Sequence, residues 1–203
     1  MRATLLALLL MTSASLVSLA AHADVEIDGV RYANPIKVEG WPMQLTGAAT
    51  KLNKLGARNF SVAIYAEKKA GSVDAMLGMR GSKRIAYKFL RPVMADGMRF
   101  LTKGVEANLN RADFVKSLNG LGRLGALLGS HPTFADGDTF TMDYQPGVGT
   151  FFSINGKRDP EPVKEPEFFK AMVLIWVGAS PVDEKMKAGI LGAWTNPNVN
   201  WNN

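Results

Sequence analysis

The chain has 203 residues, a formal net charge of +6 at pH 7, 47% hydrophobic residues and no cysteine. Ten Phe, four Trp and four Tyr supply the bulk of a real core, so the composition excludes a disordered chain. The lack of Cys excludes a disulfide scaffold, a zinc–thiolate site and a cysteine nucleophile.

Met1 to Ala23 reads as a secretory signal peptide. Arg2 supplies the positive start, Leu5 to Met11 the apolar run, and Ala21-His22-Ala23 the small-x-small cleavage pattern. A retained membrane anchor is the rival reading. Thr12, Ser13, Ser15 and Ser18 break the run short of the roughly 20 apolar residues a span requires. The expected organisation is a signal peptide over 1–23, one folded domain over 24–192 and a flexible tail over 193–203. The mature product would be exported, most simply to a bacterial periplasm. His131 is then the one histidine left, too few for an imidazole zinc site. The carboxylates do not cluster for a hard cation, so no metal or cofactor is expected.

Along the mature chain, Val25 to Ile27 and Val30 to Tyr32 alternate around Asp28-Gly29, a hairpin signal. Asn34-Pro35 is a turn. Ile36 to Val38 and Trp41 to Leu45 form a second pair around Glu39-Gly40. Phe60 to Tyr65 reads as a strand buried on both faces. Ser72 is a good N-cap for a short helix through Met79. Arg84 to Leu90 is a strand with Ile85, Tyr87 and Phe89 on one face. The spacing of Met94, Met98, Leu101 and Val105 predicts one helix over 93–109. Asn110 caps a second helix, with Asp113 in its first turn and an apolar stripe of Phe114, Leu118, Leu121, Leu124 and Leu128. Thr139 to Tyr144 and Thr150 to Ile154 form a hairpin, and Asn155-Gly156 a turn. Pro166 opens a helix that Gly178 ends, and Val182 to Leu191 forms the last. Strands joined by tight turns, then helices, argue for an α+β fold: an antiparallel sheet with helices packed over one face.

Several motifs reduce to structure. Gly120-Leu121-Gly122-Arg123-Leu124-Gly125 matches G-x-G-x-x-G but lies inside a helical stripe with no strand before it, so close helix packing is the reading rather than a nucleotide. Residues 51–103 hold twelve Lys or Arg against three Asp or Glu. Export and the lack of an aromatic-basic motif argue against nucleic acid. A solvated basic face, an anionic ligand or an anionic membrane surface fits better. No G-x-S-x-G or S-x-x-K is present. Nothing in the sequence sets an oligomeric state.

Five stretches resemble the chalcone isomerase-like family, in its exported bacterial branch: Val25-Glu26-Ile27-Asp28-Gly29-Val30; Leu45-Thr46-Gly47-Ala48-Ala49-Thr50-Lys51, similar to L-x-G-A-G-x-R; the strand Phe60 to Tyr65; Asp143 to Thr150 with Ser153-Ile154-Asn155-Gly156-Lys157, similar to D-Y-x-P-G-x-G-T…I-N-G-K; and Phe168 to Gly178 with Pro181-Val182. The resemblance implies an open-faced β-sandwich with a ligand cleft between sheet and helices. Plant enzymes of the family cyclise chalcones, and other relatives bind fatty acids without catalysis. The resemblance places the enzymes' Arg at Lys51, their Thr near Phe60 or Ser61, and their helix Tyr at Phe114. Their Lys falls near Ser117, their Asn near Leu121 and a late polar residue at Ile175. Most of these polar groups are replaced by apolar ones.

The carboxylate clamp of the fatty-acid binders would fall on Lys51 and Tyr65, with Arg58 as the alternative cation. The expected ligand-binding residues are therefore Lys51, Tyr65, Arg58, Phe114 and Ser61. The expected function is a non-catalytic binder of a fatty acid or similar apolar carboxylate. The alternatives are an isomerase acting on a chalcone-like or enone substrate, and a docking module that uses its basic face.

Overall fold

The computed structural model describes residues 24–193. The expected signal peptide over 1–23 lies outside the described residues, as does the tail from Trp194 onward.

The strands are β1 Val25–Ile27, β2 Val30–Tyr32, β3 Ile36–Val38, β4 Trp41–Leu52, β5 Arg58–Ala66, β6 Lys83–Phe89, β7 Val93–Met94, β8 Thr133–Phe134, β9 Thr139–Gln145, β10 Gly149–Ile154 and β11 Lys157–Arg158. The helices are α1 Val73–Gly78, α2 Phe100–Asn108, α3 Arg111–Ser130, α4 Pro166–Val177 and α5 Glu184–Ile190. A seven-stranded antiparallel sheet runs in the order β11-β10-β9-β6-β5-β4-β3. The α+β expectation holds. Asp28-Gly29, Glu39-Gly40 and Asn155-Gly156 each place two successive residues at positive φ. That is the turn whose twist matches the flanking strands of a two-residue hairpin.

Three elements differ from expectation. The helix expected over 93–109 is a strand, a 3-10 turn (Ala95–Arg99) and then α2. Val93 and Met94 pair with Phe134 and Thr133 of β8 instead, a long-range partner that local periodicity cannot see. β4 continues seven residues beyond Leu45, because Gly47 to Leu52 stay paired with β5 across two register shifts. α5 starts later than Val182, where Asp183 caps it by accepting from the backbone N–H groups of Lys185 and Met186. The caps at Ser72 and Asn110 form as expected.

Alternation divides the sheet into two faces. Phe60, Val62 and Ile64 of β5, Ile85, Tyr87 and Phe89 of β6, and Phe140 and Met142 of β9 face the helices. α4 buries nine of the ten side chains from Phe168 to Val177, all but Lys170, so it forms the centre of the helix layer. At its heart, the Trp176 indole N–H donates to the Tyr87 hydroxyl at 3.1 Å in a fully buried site. On the opposite face, the β1–β2 hairpin and β3 cover one end of the sheet, packing Ile27, Val30, Tyr32 and Val38 on Leu45, Ala48, Ala63 and Tyr65. β3 and β11 are the first and last strands of the order, yet Arg158 of β11 reaches Glu39 at the β3–β4 turn, N–O 2.8 Å. The sheet therefore curls toward the face that carries no helices.

The glycines of α3 divide by packing. A Cβ on Gly120 would lie 2.4 Å from the Phe168 ring and 2.8 Å from Val163, whereas at Gly122 it would meet nothing within 4 Å. Gly122→Ala is expected to stabilise the protein by roughly 0.8–1 kcal/mol through helix propensity. Gly120→Ala is expected to destabilise it by about 1–3 kcal/mol through overpacking. Urea midpoints of the two variants read opposite signs.

Candidate functional site

The structure does not bring the five expected site residues together. Lys51 pairs directly with Phe60, so its side chain lies on the helix side. Tyr65 sits five residues along an unbroken β5, so it lies on the other face. The expected Lys51–Tyr65 clamp is therefore not formed, and a sheet separates its members. The Lys51 ammonium is 3.0 Å from the Asp183 carboxylate and ties α5 to β4. Burial raises the Asp183 pKa, but the Lys51 hydrogen bond and the capped backbone N–H groups outweigh it, and the net shift is downward.

Arg58 does not replace Lys51 as the clamp. Its guanidinium donates to the Asp28 carbonyl at 2.8 Å. It lines a groove that also carries Glu26, Asp28 and Asp183, a poor setting for a carboxylate ligand. Phe114 is half-buried on α3 and packs against the helix-side core. Ser61 is fully buried on the far face beside Tyr32.

Apart from Lys51, which is engaged with Asp183, the positions carried over from the enzymes hold no titratable group. The Ser117 hydroxyl donates to its own helix at the Phe114 carbonyl, 2.7 Å. Ile175 is fully buried against Gly104, where an added Cβ would lie 2.9 Å from its Cγ2. The space between sheet and α2 is filled by rings. Phe60 packs on Phe100, with centroids 6.1 Å apart and planes 7° apart, and on Trp176 edge-on at 6.3 Å. Lys83, a buried residue of the basic stretch, donates to the Met79 and Gly81 carbonyls after α1. Burial lowers its pKa.

The basic stretch does not make one face. Lys51 and Lys83 lie on the helix side of the sheet, Arg84 and Lys88 on the other, and Lys103 on α2. Strand alternation splits a run of charge that reads as continuous in one dimension.

One opening on the helix side lies between the 3-10 turn with α2 and the facing stripe of α3. This groove has a volume of about 430 Å³, within the range of small-molecule sites. Met98, Leu101 and Leu124 form a buried floor. Met94, Leu121 and Leu128 form the walls, and Met94 is 63% exposed. Gly125 and Gly129 border it from α3, and a Cβ on either would meet nothing within 4 Å. Arg99 stands exposed on the rim with no ion-pair partner among the described residues. Sequence reasoning placed Leu121, Leu124 and Leu128 on one stripe but took it as core. It missed Arg99 because the helix expected over 93–109 hid the bend that brings Arg99 to the groove.

Among the described residues, no group of His, Asp or Glu is placed to hold a metal ion. No helix there is long and apolar enough to cross a membrane.

The family described as chalcone isomerase-like matches residues 24–192. No curated protein matches the sequence. Among solved structures, the chain is similar to a fatty-acid binding protein of Arabidopsis thaliana, at 13% identity and a TM-score of 0.63, covering 83% of this chain and 96% of that one. At that identity the likeness is one of fold.

Proposed function

The chain belongs to the chalcone isomerase-like family, and on that premise we propose that it is a non-catalytic binder of an apolar carboxylate, such as a fatty acid, held in the groove between α2 and α3. The observation that carries this reading is the pair Gly125 and Gly129. Gly125 in the helix interior costs roughly 0.8–1 kcal/mol relative to alanine, and at neither glycine is there a neighbour within 4 Å that a Cβ would strike. Their effect is to keep an apolar groove open beside an unpaired Arg99. An alkyl chain would cover the Met and Leu walls, and the guanidinium would receive the carboxylate at the rim. The similarity to a plant fatty-acid binding protein supports the ligand class. The apolar or self-bonded groups at Phe114, Ser117, Leu121 and Ile175 support binding over isomerisation.

Export to a periplasm through the segment 1–23 is part of the same proposal. It is supported by the signal-like pattern of that segment and by a family match that starts at residue 24. The stretch 51–103 spreads over several surfaces, so the proposal involves no membrane docking.

Isothermal titration with dodecanoate tests the reading. The protein is expected to bind it with one site per chain. Gly125→Leu enters the groove from a point where a Cβ meets nothing within 4 Å, so it should abolish binding while leaving the melting temperature unchanged or higher. Arg99→Ala should weaken dodecanoate about tenfold and leave dodecanol unaffected. Unchanged dodecanoate affinity in Gly125→Leu would sink the proposal.

A further inference from the structure

The face of the sheet turned away from the helices carries a second cleft, built from residues that the groove does not use. Three rows of side chains cross it. Ser61, Lys88 and Thr139 form the first, Ala63, Ala86, Thr141 and Ser153 the second, and Tyr65, Arg84 and Asp143 the third. Rows two residues apart on a strand are about 7 Å apart, so the outer rows stand about 13 Å from each other across a floor of small side chains. The β1–β2 hairpin walls one side with Tyr32. The Arg158–Glu39 ion pair closes the other by linking the two ends of the curled sheet, with the Arg158 guanidinium 3.4 Å from the centre of the Phe151 ring. The cleft has a volume of about 390 Å³.

Its chemistry is that of hydroxyls and cations. Arg84 holds Asp143 in a two-point pair, Nε–Oδ1 2.5 Å and Nη2–Oδ2 2.8 Å, and the Asp143 side chain is 4% exposed. That pair is neutral overall and two-point, and the part-exposed Arg84 guanidinium keeps further N–H groups for a ligand. Lys88 is exposed on the first row with no ion-pair partner among the described residues. The hydroxyls of Tyr32 and Thr141 are buried in the lining of the cleft; that of Tyr32 turns toward the Ser61 hydroxyl beneath it, and that of Thr141 has no partner. Tyr32 is 7% exposed. Burial keeps its phenol protonated, pushed up to about 12, and raises that of Tyr65 as well, against the pull of Arg84. Both therefore stay hydrogen-bond donors at neutral pH. A buried hydroxyl without a partner is uncommon, and Thr141 places one in the lining of the same cleft as the unpaired Lys88 ammonium.

We propose that this cleft is a second binding site, for a small hydrophilic anion: a hydroxylated body over the Ala86–Thr141–Ser153 floor, with one carboxylate or phosphate at Lys88. The proposal is independent of the apolar groove, from which the sheet and its core separate it. Tyr65, expected at a carboxylate clamp between sheet and helices, belongs to this site instead, while Ser61 lies buried beneath it.

Calorimetric titration of the mature protein with gluconate, glucose 6-phosphate, inorganic phosphate and methyl glucoside tests it. Gluconate, glucose 6-phosphate or both should bind with one site per chain, and which of them binds tells a carboxylate from a phosphate ligand. Lys88→Ala, an exposed change, should weaken that ligand about tenfold. Thr141→Val should weaken it without lowering the melting temperature, because it removes a hydroxyl that has no partner in the fold. Gly125→Leu should leave this binding unchanged, so failure of the dodecanoate reading does not affect it. The proposal is overturned if neither sugar acid nor sugar phosphate binds at about 10 mM, or if Lys88→Ala keeps full affinity. It is equally overturned if methyl glucoside binds as tightly as gluconate, or if inorganic phosphate binds as tightly as glucose 6-phosphate.

Discussion

Trp176→Ala is expected to destabilise the protein by about 4 kcal/mol, which for a domain of this size lowers the melting temperature by roughly 8–16 °C. Trp176 is fully buried at the centre of the aromatic layer, edge-on to Phe60, Tyr87 and Phe100 at 6.3, 6.0 and 5.6 Å. Truncation removes those contacts and leaves a cavity that the sheet cannot close, because β5 and β6 are held in register on both sides. It also strands the Tyr87 hydroxyl, whose partner is the Trp176 indole N–H. Trp176→Phe separates the two effects: it keeps most of the ring volume and loses the donor, and should cost about 1–3 kcal/mol. Adding Tyr87→Phe to it should recover part of that loss, since both polar groups are then gone. Thermal denaturation of the three variants checks the order. A Trp176→Phe, Tyr87→Phe double variant less stable than Trp176→Phe alone would show that the hydrogen bond is not what that site depends on.

Gly47→Ala is expected to cost about 3 kcal/mol. A Cβ at Gly47 would lie 2.4 Å from the carbonyl oxygens of both Gly189 and Ile190. Both are backbone atoms, so no side-chain rotation relieves the clash, and α5 has to lift from β4. That movement loosens Met186 and Ile190, which are buried against the sheet, and stretches the Lys51–Asp183 pair. Amide hydrogen exchange should show α5 losing protection while β6 and β9 keep theirs. Equal loss across the whole sheet would mean that α5 is not a separable unit. The contrast with Gly122→Ala, where the added methyl meets nothing, shows that the surroundings rather than the residue type set the sign.

The candidate sites were less legible than the fold, and the reason is the two-residue period of a strand. Lys51 and Tyr65 fall close together in the resemblance, but an odd number of steps along paired strands puts them on opposite faces. The register shift between Lys51 and Leu52 and the loop to Arg58 decide that parity, and neither has a signature in composition. Arg84 and Asp143 lie 59 residues apart. Only the adjacency of β6 and β9 brings them into the row with Tyr65. The G-x-G-x-x-G stretch was readable as packing rather than nucleotide binding. Yet Gly120 alone is closely packed, while Gly125 borders an open groove, a difference set by what faces each side of α3.

The sequence by itself determined the features whose causes are local. The two-residue hairpins follow from Asp28-Gly29 and Asn155-Gly156, the helix starts from Ser72, Asn110 and Pro166, and the antiparallel α+β class from strands joined by tight turns. Each depends on backbone preferences within a few residues. Tertiary structure alone decided the order of the strands, the pairing of Val93 with Phe134, the closure of the sheet by Arg158 and Glu39, and the face on which each cation lies. These depend on contacts between residues far apart in the chain, where burial and pairing outweigh local preference. For that reason the fold could be read before the sites could.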